Sequence, residues 1–155
     1  MIIRPGTQHD LLKVGRLWRK LVNEKNPDYN PRVDWWRDYT AAAMAQGNYY
    51  LFVAEDGGRI VGFTSFIVAP EPATGTIQAI GRHIYVETEF RRQRIGSLFH
   101  KEHLRIARER KCSAWVLGCD SLDEGMWIKK GFRPYHKLVI MNIGEEQFRK
   151  SGKGE

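Results

Sequence analysis

The stretch Ile84-Tyr85-Val86-Glu87-Thr88-Glu89-Phe90-Arg91-Arg92-Gln93-Arg94-Ile95-Gly96-Ser97-Leu98 changes character at its middle. It opens as the end of an apolar, β-branched run and passes through Arg91, Arg92 and Arg94. It then enters Ile95, Leu98, Phe99, Ile106 and Ala107, whose spacing is helical. A strand, a cationic turn and a helix start, in that order, make an anion site. The first N–H groups of a helix lack intrahelical acceptors and lie at the positive end of its dipole. Gly96 lets the backbone approach an anion, Ser97 offers a hydroxyl, and the arginines offer charge-assisted bonds. Neither the mononucleotide nor the dinucleotide glycine pattern is present, so the expected anion is the pyrophosphate of another cofactor.

The charge distribution singles out the same place. The chain has 155 residues and a formal net charge of +7. Residues 1–90 carry ten basic and ten acidic side chains, and residues 91–111 carry eight and two. Residues 112–128 carry three acids and no base, and residues 129–155 carry seven bases and three acids. A surplus gathered at one turn matches the few phosphates of a small cofactor better than a long polyanion. The length suits one domain with a core large enough to need no disulfide or metal staple. Cys112 and Cys119 are too few for a disulfide scaffold and are read as small apolar residues. No apolar stretch resembles a signal peptide or a membrane span, so a cytoplasmic protein without a membrane partner is expected.

Working outward, the periods alternate between strand and helix without internal repeats. Ile2 and Ile3 open a strand that stops at Pro5. Thr7 then caps a helix with Leu11, Val14, Trp18, Leu21 and Val22 on one face, ended by Asn26-Pro27. Pro31 suits the first turn of a second helix running to Gln46, with Gly47 as its stop. Tyr49–Glu55 and Arg59–Ala69 are strands joined by the hairpin signal Asp56-Gly57-Gly58, and Thr76–Val86 is a third. Cys112–Gly118 reads as a strand buried on both faces, Leu122–Lys130 as a helix ended by Gly131, and Pro134–Ile143 as a last strand. The order β-α-α-β-β-β-α-β-α-β predicts a mixed α/β (α+β) single domain over residues 1–144, with a polar tail over 145–155.

These residues resemble the GNAT acetyltransferase superfamily. Its acyl-coenzyme A signature reads Arg or Gln, two variable residues, Gly, one variable residue, then Gly or Ala. Arg91 and Gly96 match, while Arg94 stands where the first glycine would. Trp127-Ile128-Lys129-Lys130-Gly131-Phe132 resembles the second signature, an aromatic helix ending in Gly-Phe. The resemblance implies a central, mixed, mostly antiparallel, twisted sheet flanked by about four helices. It implies acetyl-CoA as the acyl donor, no metal, and direct transfer to a primary amine of a small molecule or protein through a tetrahedral intermediate. The pantetheine arm would lie between the strand ending at Val86 and the strand from Cys112. It would be held along Ile84-Tyr85-Val86 and beside Trp127, and the phosphates would be held by Arg91, Arg92, Gln93, Arg94, Ile95, Gly96 and Ser97. The backbone N–H near Val86 would steady the oxyanion.

Direct transfer asks for a base and an acid. The family's usual acid is a tyrosine, and Trp127 occupies that position; an indole N–H donates a hydrogen bond but not its proton. Cys119, Ser121 and Tyr135 are the substitutes by type, beside a proton returned from the amine or water. Counting back from Val86 along one strand face gives Ile84, Arg82 and Ile80, none of them a base. A β-bulge would shift the parity and bring His83 to the cleft. Glu87 reads as a surface ion pair with Arg91 or Arg92. His100 and His103 share a helix face without a third ligand and are read as solvent-facing or interfacial.

Trp18, Trp35, Trp36 and Tyr39 either shape an acceptor pocket between the first two helices or fill the core, and the rings of Trp35 and Trp36 cannot both face one core. Asp34 and Asp38, one turn apart, suit a cationic amine or a solvated face. Two other functions stay open: a degenerate coenzyme A-binding regulatory module, and a nucleic-acid-facing enzyme that uses an RNA-linked amine. Dimers are frequent in the family, which leaves a homodimer open.

Overall fold

The structure, a computed structural model, describes residues 1–118 and 121–134, without the side chains of 121–124. Cys119, Tyr135, the side chain of Ser121, the last strand beyond Pro134 and the tail from Glu145 lie outside the described residues.

Strand β1 (Ile2–Pro5) leads into helix α1 (Leu11–Lys25) and helix α2 (Val33–Ala45). Strands β2 (Tyr49–Asp56), β3 (Arg59–Pro70) and β4 (Ile77–Val86) follow as an antiparallel meander. Helix α3 (Ile95–Glu109) returns the chain to strand β5 (Ala114–Leu117), and helix α4 (Ser121–Lys129) comes next. The sheet order is β1-β2-β3-β4-β5, antiparallel except for the parallel β4–β5 pair. This is the expected mixed, mostly antiparallel sheet, and among the described residues the element order agrees with the one read from the sequence. No helix among them is long and apolar enough to cross a membrane.

The local chemistry explains the element ends. Asp56 pairs with Arg59 across Gly57 and Gly58, whose φ values of 54° and 79° are the two positive angles a type I′ hairpin demands. Thr7 does not open α1 directly. It starts a single tight turn, its N–H and hydroxyl bonding the Asp10 carboxylate at 2.8 and 3.0 Å, and Arg4 clamps the same carboxylate at 2.8 and 2.9 Å. Pro31 lies just outside α2 rather than in its first turn.

The two faces of the sheet hold separate cores. Under α1 and α2, Leu11, Val14, Leu17, Leu21 and Trp36 meet Leu51, Val53, Phe63 and Tyr85. Under α3, Ile95, Phe99 and Ala107 meet Phe52, Val61, Phe66, Val68 and Ala79. Two side-chain expectations are corrected on α3: Leu98 is exposed, and His103, read as solvent-facing or interfacial, lies in the buried stripe between Phe99 and Ala107 at 4% exposure. β5 is also shorter than expected and only half-buried, not enclosed on both faces.

Candidate active site

The site begins where the sheet stops zipping. β5 pairs with β4 from Gln78–Ala114 to Gly81–Leu117 and no further, although β4 runs on to Val86. At the last pair a Cβ on Gly81 would stand 3.1 Å from the Leu117 Cβ, so glycine permits the close approach. Immediately beyond, the β3–β4 register slips: Phe66 faces Gly81 and Ser65 faces His83, leaving Arg82 as a bulged residue. A bulge bends its strand and increases its twist, and here it marks the point where β4 leaves β5.

Beyond the bulge the ladder alternates. Glu87 donates its N–H to the Val61 carbonyl at 2.9 Å, so Tyr85 and His83 turn their backbone groups toward β3 while Val86 and Ile84 turn theirs into the gap. The Val86 carbonyl accepts from Arg91 Nε at 2.9 Å. Its N–H is the gap-facing donor at the strand's end. Tyr85 contributes no backbone group to the gap and its ring lies in the α1 core, with its hydroxyl on Glu24 at 3.3 Å. This corrects its assignment to pantetheine.

A cavity of about 270 Å³ fills the notch. Its walls are the last turn of α1 (Leu21, Val22, Lys25) with Asn26, Thr64 and Ser65 of β3, and Gly81 to Ile84 of β4. Leu117 and Gly118 close the β5 side, with His103 of α3, Trp115 and Trp127 behind. Trp127 is 8% exposed and its ring meets Phe132 edge-on at 5.3 Å, so the second signature segment does reach the notch.

His83 is present but differently placed from the expectation. The bulge lies before it, so it shares the face of Tyr85 and Phe63, opposite Val86, and enters the cavity from the α1 side. Trp18 Nε1–H donates to its Nε2 at 3.4 Å; a neutral ring then carries its proton on Nδ1, 3.2 Å from Ser65 Oγ. Burial, helped by the Arg82 charge, pushes its pKa down to about 4. The ring is therefore uncharged at neutral pH, and its free lone pair is the one Trp18 loosely holds. Behind it, Thr64 donates to the His83 carbonyl at 3.0 Å and so accepts from His103 Nε2 at 3.0 Å. His103 stacks on Trp115 at 4.5 Å, and burial pushes its pKa to about 3. Sequence reading missed this hydrogen-bond chain, which ends on the His83 backbone and not on its ring, because its three members lie on three elements.

The cationic turn follows a single helical turn at Thr88–Phe90. Arg92 and Arg94 adopt φ of 77° and 61°, the left-handed region that glycine tolerates best. This accounts for the family's glycine at position 94. Ile95 is buried and offers only its N–H, whereas a Cβ on Gly96 would meet nothing within 4 Å, so that backbone is open. Gln93 is exposed on the turn. Lys130, just past α4, points its Nζ at Ser97 Oγ, 3.3 Å away. It adds a cation that the sequence left unassigned. Arg91 departs from the expectation: its guanidinium grips Glu24 at 2.8 and 2.9 Å and lies over the Tyr85 ring, so it buttresses β4 against α1 instead of facing the turn.

The expected acceptor residues scatter. Trp36 is 3% exposed, stacked on Trp18 at 5.3 Å, and belongs to the core. Trp35 is exposed and stacks on Tyr39, away from the cavity walls. Asp34 projects into solvent with Arg37 3.6 Å away. Glu87 is an ion pair as expected, but a buried one, with Lys20 at 2.7 Å and Arg59 at 3.5 Å in place of Arg91 or Arg92. No metal-sized cluster of His, Cys, Asp and Glu occurs among the described residues.

The notch has donors for an extended ligand that carries amides at one end and phosphates at the other. It offers strand amides for an amide-bearing arm, and Arg92, Arg94, Ser97, Lys130 and a helix start for phosphates. Comparison with known proteins gives the family and the fold. The model of the acetyltransferase (GNAT) family matches residues 16–127. An acetyltransferase from Trypanosoma brucei superposes with a TM-score of 0.75 at 19% identity, over 92% of this chain and 99% of its own. A predicted acetyltransferase with acetyl-CoA from Clostridium acetobutylicum gives 0.76 at 17% identity, over 91% and 95%. A ribosomal-protein-alanine N-acetyltransferase from Brucella melitensis biovar Abortus 2308 gives 0.70 at 21% identity, over 92% and 100%.

Proposed function

Because the chain belongs to the acetyltransferase (GNAT) family, we propose that it is an N-acetyltransferase that moves an acetyl group from acetyl-CoA to a primary amine. The observation that carries this is the half-zipped β4–β5 pair, whose gap runs from the Ile84 and Val86 backbone to the turn before α3. Acetyl-CoA supplies the acyl carbon as a thioester. Arg92, Arg94, Ser97, Lys130 and the N–H groups of Ile95 and Gly96 hold its phosphates. The Val86 N–H receives the carbonyl oxygen and stabilises charge developing there.

The amine nitrogen bonds to the carbonyl carbon, the carbon–sulfur bond breaks, and one amine proton is lost while the sulfur gains one. His83 Nε2 takes the amine proton once the acceptor displaces the long bond from Trp18. A base held so far below neutrality works on an amine that is already uncharged. Trp127 lines the sulfur end without supplying a proton. Cys119, Ser121 and Tyr135 are the side chains proposed to return one to sulfur, in competition with water.

Calorimetry with acetyl-CoA, followed by a thiol-release assay over an amine library, tests this. At a hundred times its Kd a native-state ligand stabilises by about 2.7 kcal/mol, which for a chain of this size raises Tm by roughly 5–11 °C. No binding at millimolar acetyl-CoA refutes the proposal, and binding without turnover on any amine reduces it to a coenzyme A-binding module.

A further inference from the structure

We infer that Ser65 is a positioning residue for the acetyl transfer: its hydroxyl receives the Nδ1–H of His83 and holds the imidazole while Nε2 takes the amine proton. The inference rests on the acetyltransferase reading and goes beyond it in naming what orients the base.

The place of Ser65 in the sheet is what calls for a role. It is buried, on the face that β3 turns to α1, across from Leu51 of β2 and His83 of β4. Its neighbours on that face, Leu51, Val53, Phe63 and Tyr85, are core residues. A hydroxyl in such a setting costs free energy unless it is hydrogen-bonded, and its partner is His83 Nδ1 at 3.2 Å. The bulge makes the pair. Arg82 is the extra residue, so His83 stands directly across from Ser65, at the separation where cross-strand side chains meet. On the opposite face Thr64 bonds the His83 carbonyl, so two consecutive hydroxyls hold the backbone and the ring of one residue.

The direction of the Ser65 bond follows from the other ring nitrogen. Trp18 Nε1–H can only donate, so Nε2 accepts from it and the neutral ring carries its hydrogen on Nδ1. Ser65 Oγ is then the acceptor. When an amine takes the place of the indole N–H, Nε2 gains the amine proton and Nδ1 keeps its own. Both nitrogens are then donors, and towards them Ser65 can only accept. A bond that was neutral becomes charge-assisted and strengthens as the proton moves. An interaction that grows toward the transition state acts on kcat more than on KM.

NMR and kinetics together test this. In ligand-free wild type at neutral pH, a long-range proton–nitrogen correlation spectrum is expected to show His83 protonated on Nδ1, the signal being assigned by its loss in His83→Gln. Ser65→Ala is expected to cut kcat about 3- to 10-fold with the KM for acetyl-CoA unchanged, the scale by which a charge-assisted hydrogen bond exceeds a neutral one. Ser65→Thr, which keeps a hydroxyl, is expected to recover most of that loss. In a His83→Gln background the Ser65→Ala change is expected to cost less than about twofold, because the imidazole it holds is gone. Thermal melts report whether each variant is folded. A ring protonated on Nε2 in the wild type, no loss in folded Ser65→Ala, or an equal loss with and without His83 overturns the inference and leaves the acetyltransferase reading intact. Absence of both acetyl-CoA binding and acetylation in the wild type overturns both.

Discussion

Lys130 offers the sharpest test of how the cofactor end works. Its Nζ sits 3.3 Å from the hydroxyl of Ser97 in the first turn of α3, so a diphosphate on that helix start would lie about one ion-pair distance from the ammonium. Two unit charges 4 Å apart attract by about 1 kcal/mol in water and about 4 kcal/mol at an effective dielectric of 20. The Lys130–Ser97 contact is solvent-exposed, which favours the lower part of that range. Lys130→Gln should therefore lose about 1–2 kcal/mol, or roughly 5- to 30-fold in the Kd of coenzyme A. Calorimetry should find the loss for coenzyme A and for dephospho-coenzyme A but not for pantetheine, which lacks the diphosphate. The loss should shrink in 1 M salt, where the Debye length falls to about 3 Å. An equal loss for pantetheine, or none for coenzyme A, would refute placing this lysine at the phosphates.

Trp127→Tyr puts an ionisable hydroxyl on the cavity wall where the family's acid stands. It should raise kcat, toward the roughly 10²- to 10⁴-fold that a well-placed general acid contributes; a fall in kcat at unchanged acetyl-CoA affinity would show that residue 127 is not beside the leaving sulfur. The two buried histidines should also make the fold acid-sensitive. Their folded pKa values, about 4 for His83 and about 3 for His103, lie below the unfolded value near 6.5. The unfolded chain thus binds more protons in between, and stability present above about 6.5 is lost as pH falls through 4 and then 3. Urea titrations from pH 7 to pH 4 should show the decline, and replacing either histidine by Gln should flatten its slope.

What the sequence made legible follows from how local each signal is. Asp56-Gly57-Gly58 names its own turn, and Gly47 and Gly131, both at positive φ, name the ends of their helices. The strand-to-helix turn carried its cationic character in consecutive residues. Arg91 was misread because its partner Glu24 is 67 residues away, and Lys130 was left unassigned because its contact with Ser97 spans 33. Trp35 and Trp36 illustrate the same limit: the helix period says that one of them faces outward, and only the seat beneath Phe63 decides which. His103 looked like a surface residue because nothing nearby in sequence announces Thr64, its partner across the sheet.

The parting of β4 from β5 has a second consequence, for solubility. Beyond Gly81 one side of a central strand has no strand partner among the described residues, with only the Val86 carbonyl taken by Arg91, and such an edge is a template for an extended chain. A bound pantetheine arm, itself a short run of amides, covers that template as a borrowed strand would. On the proposed reading the cofactor would cover that edge of the sheet as well as react. If so, self-association should fall as coenzyme A is added, which light scattering would read.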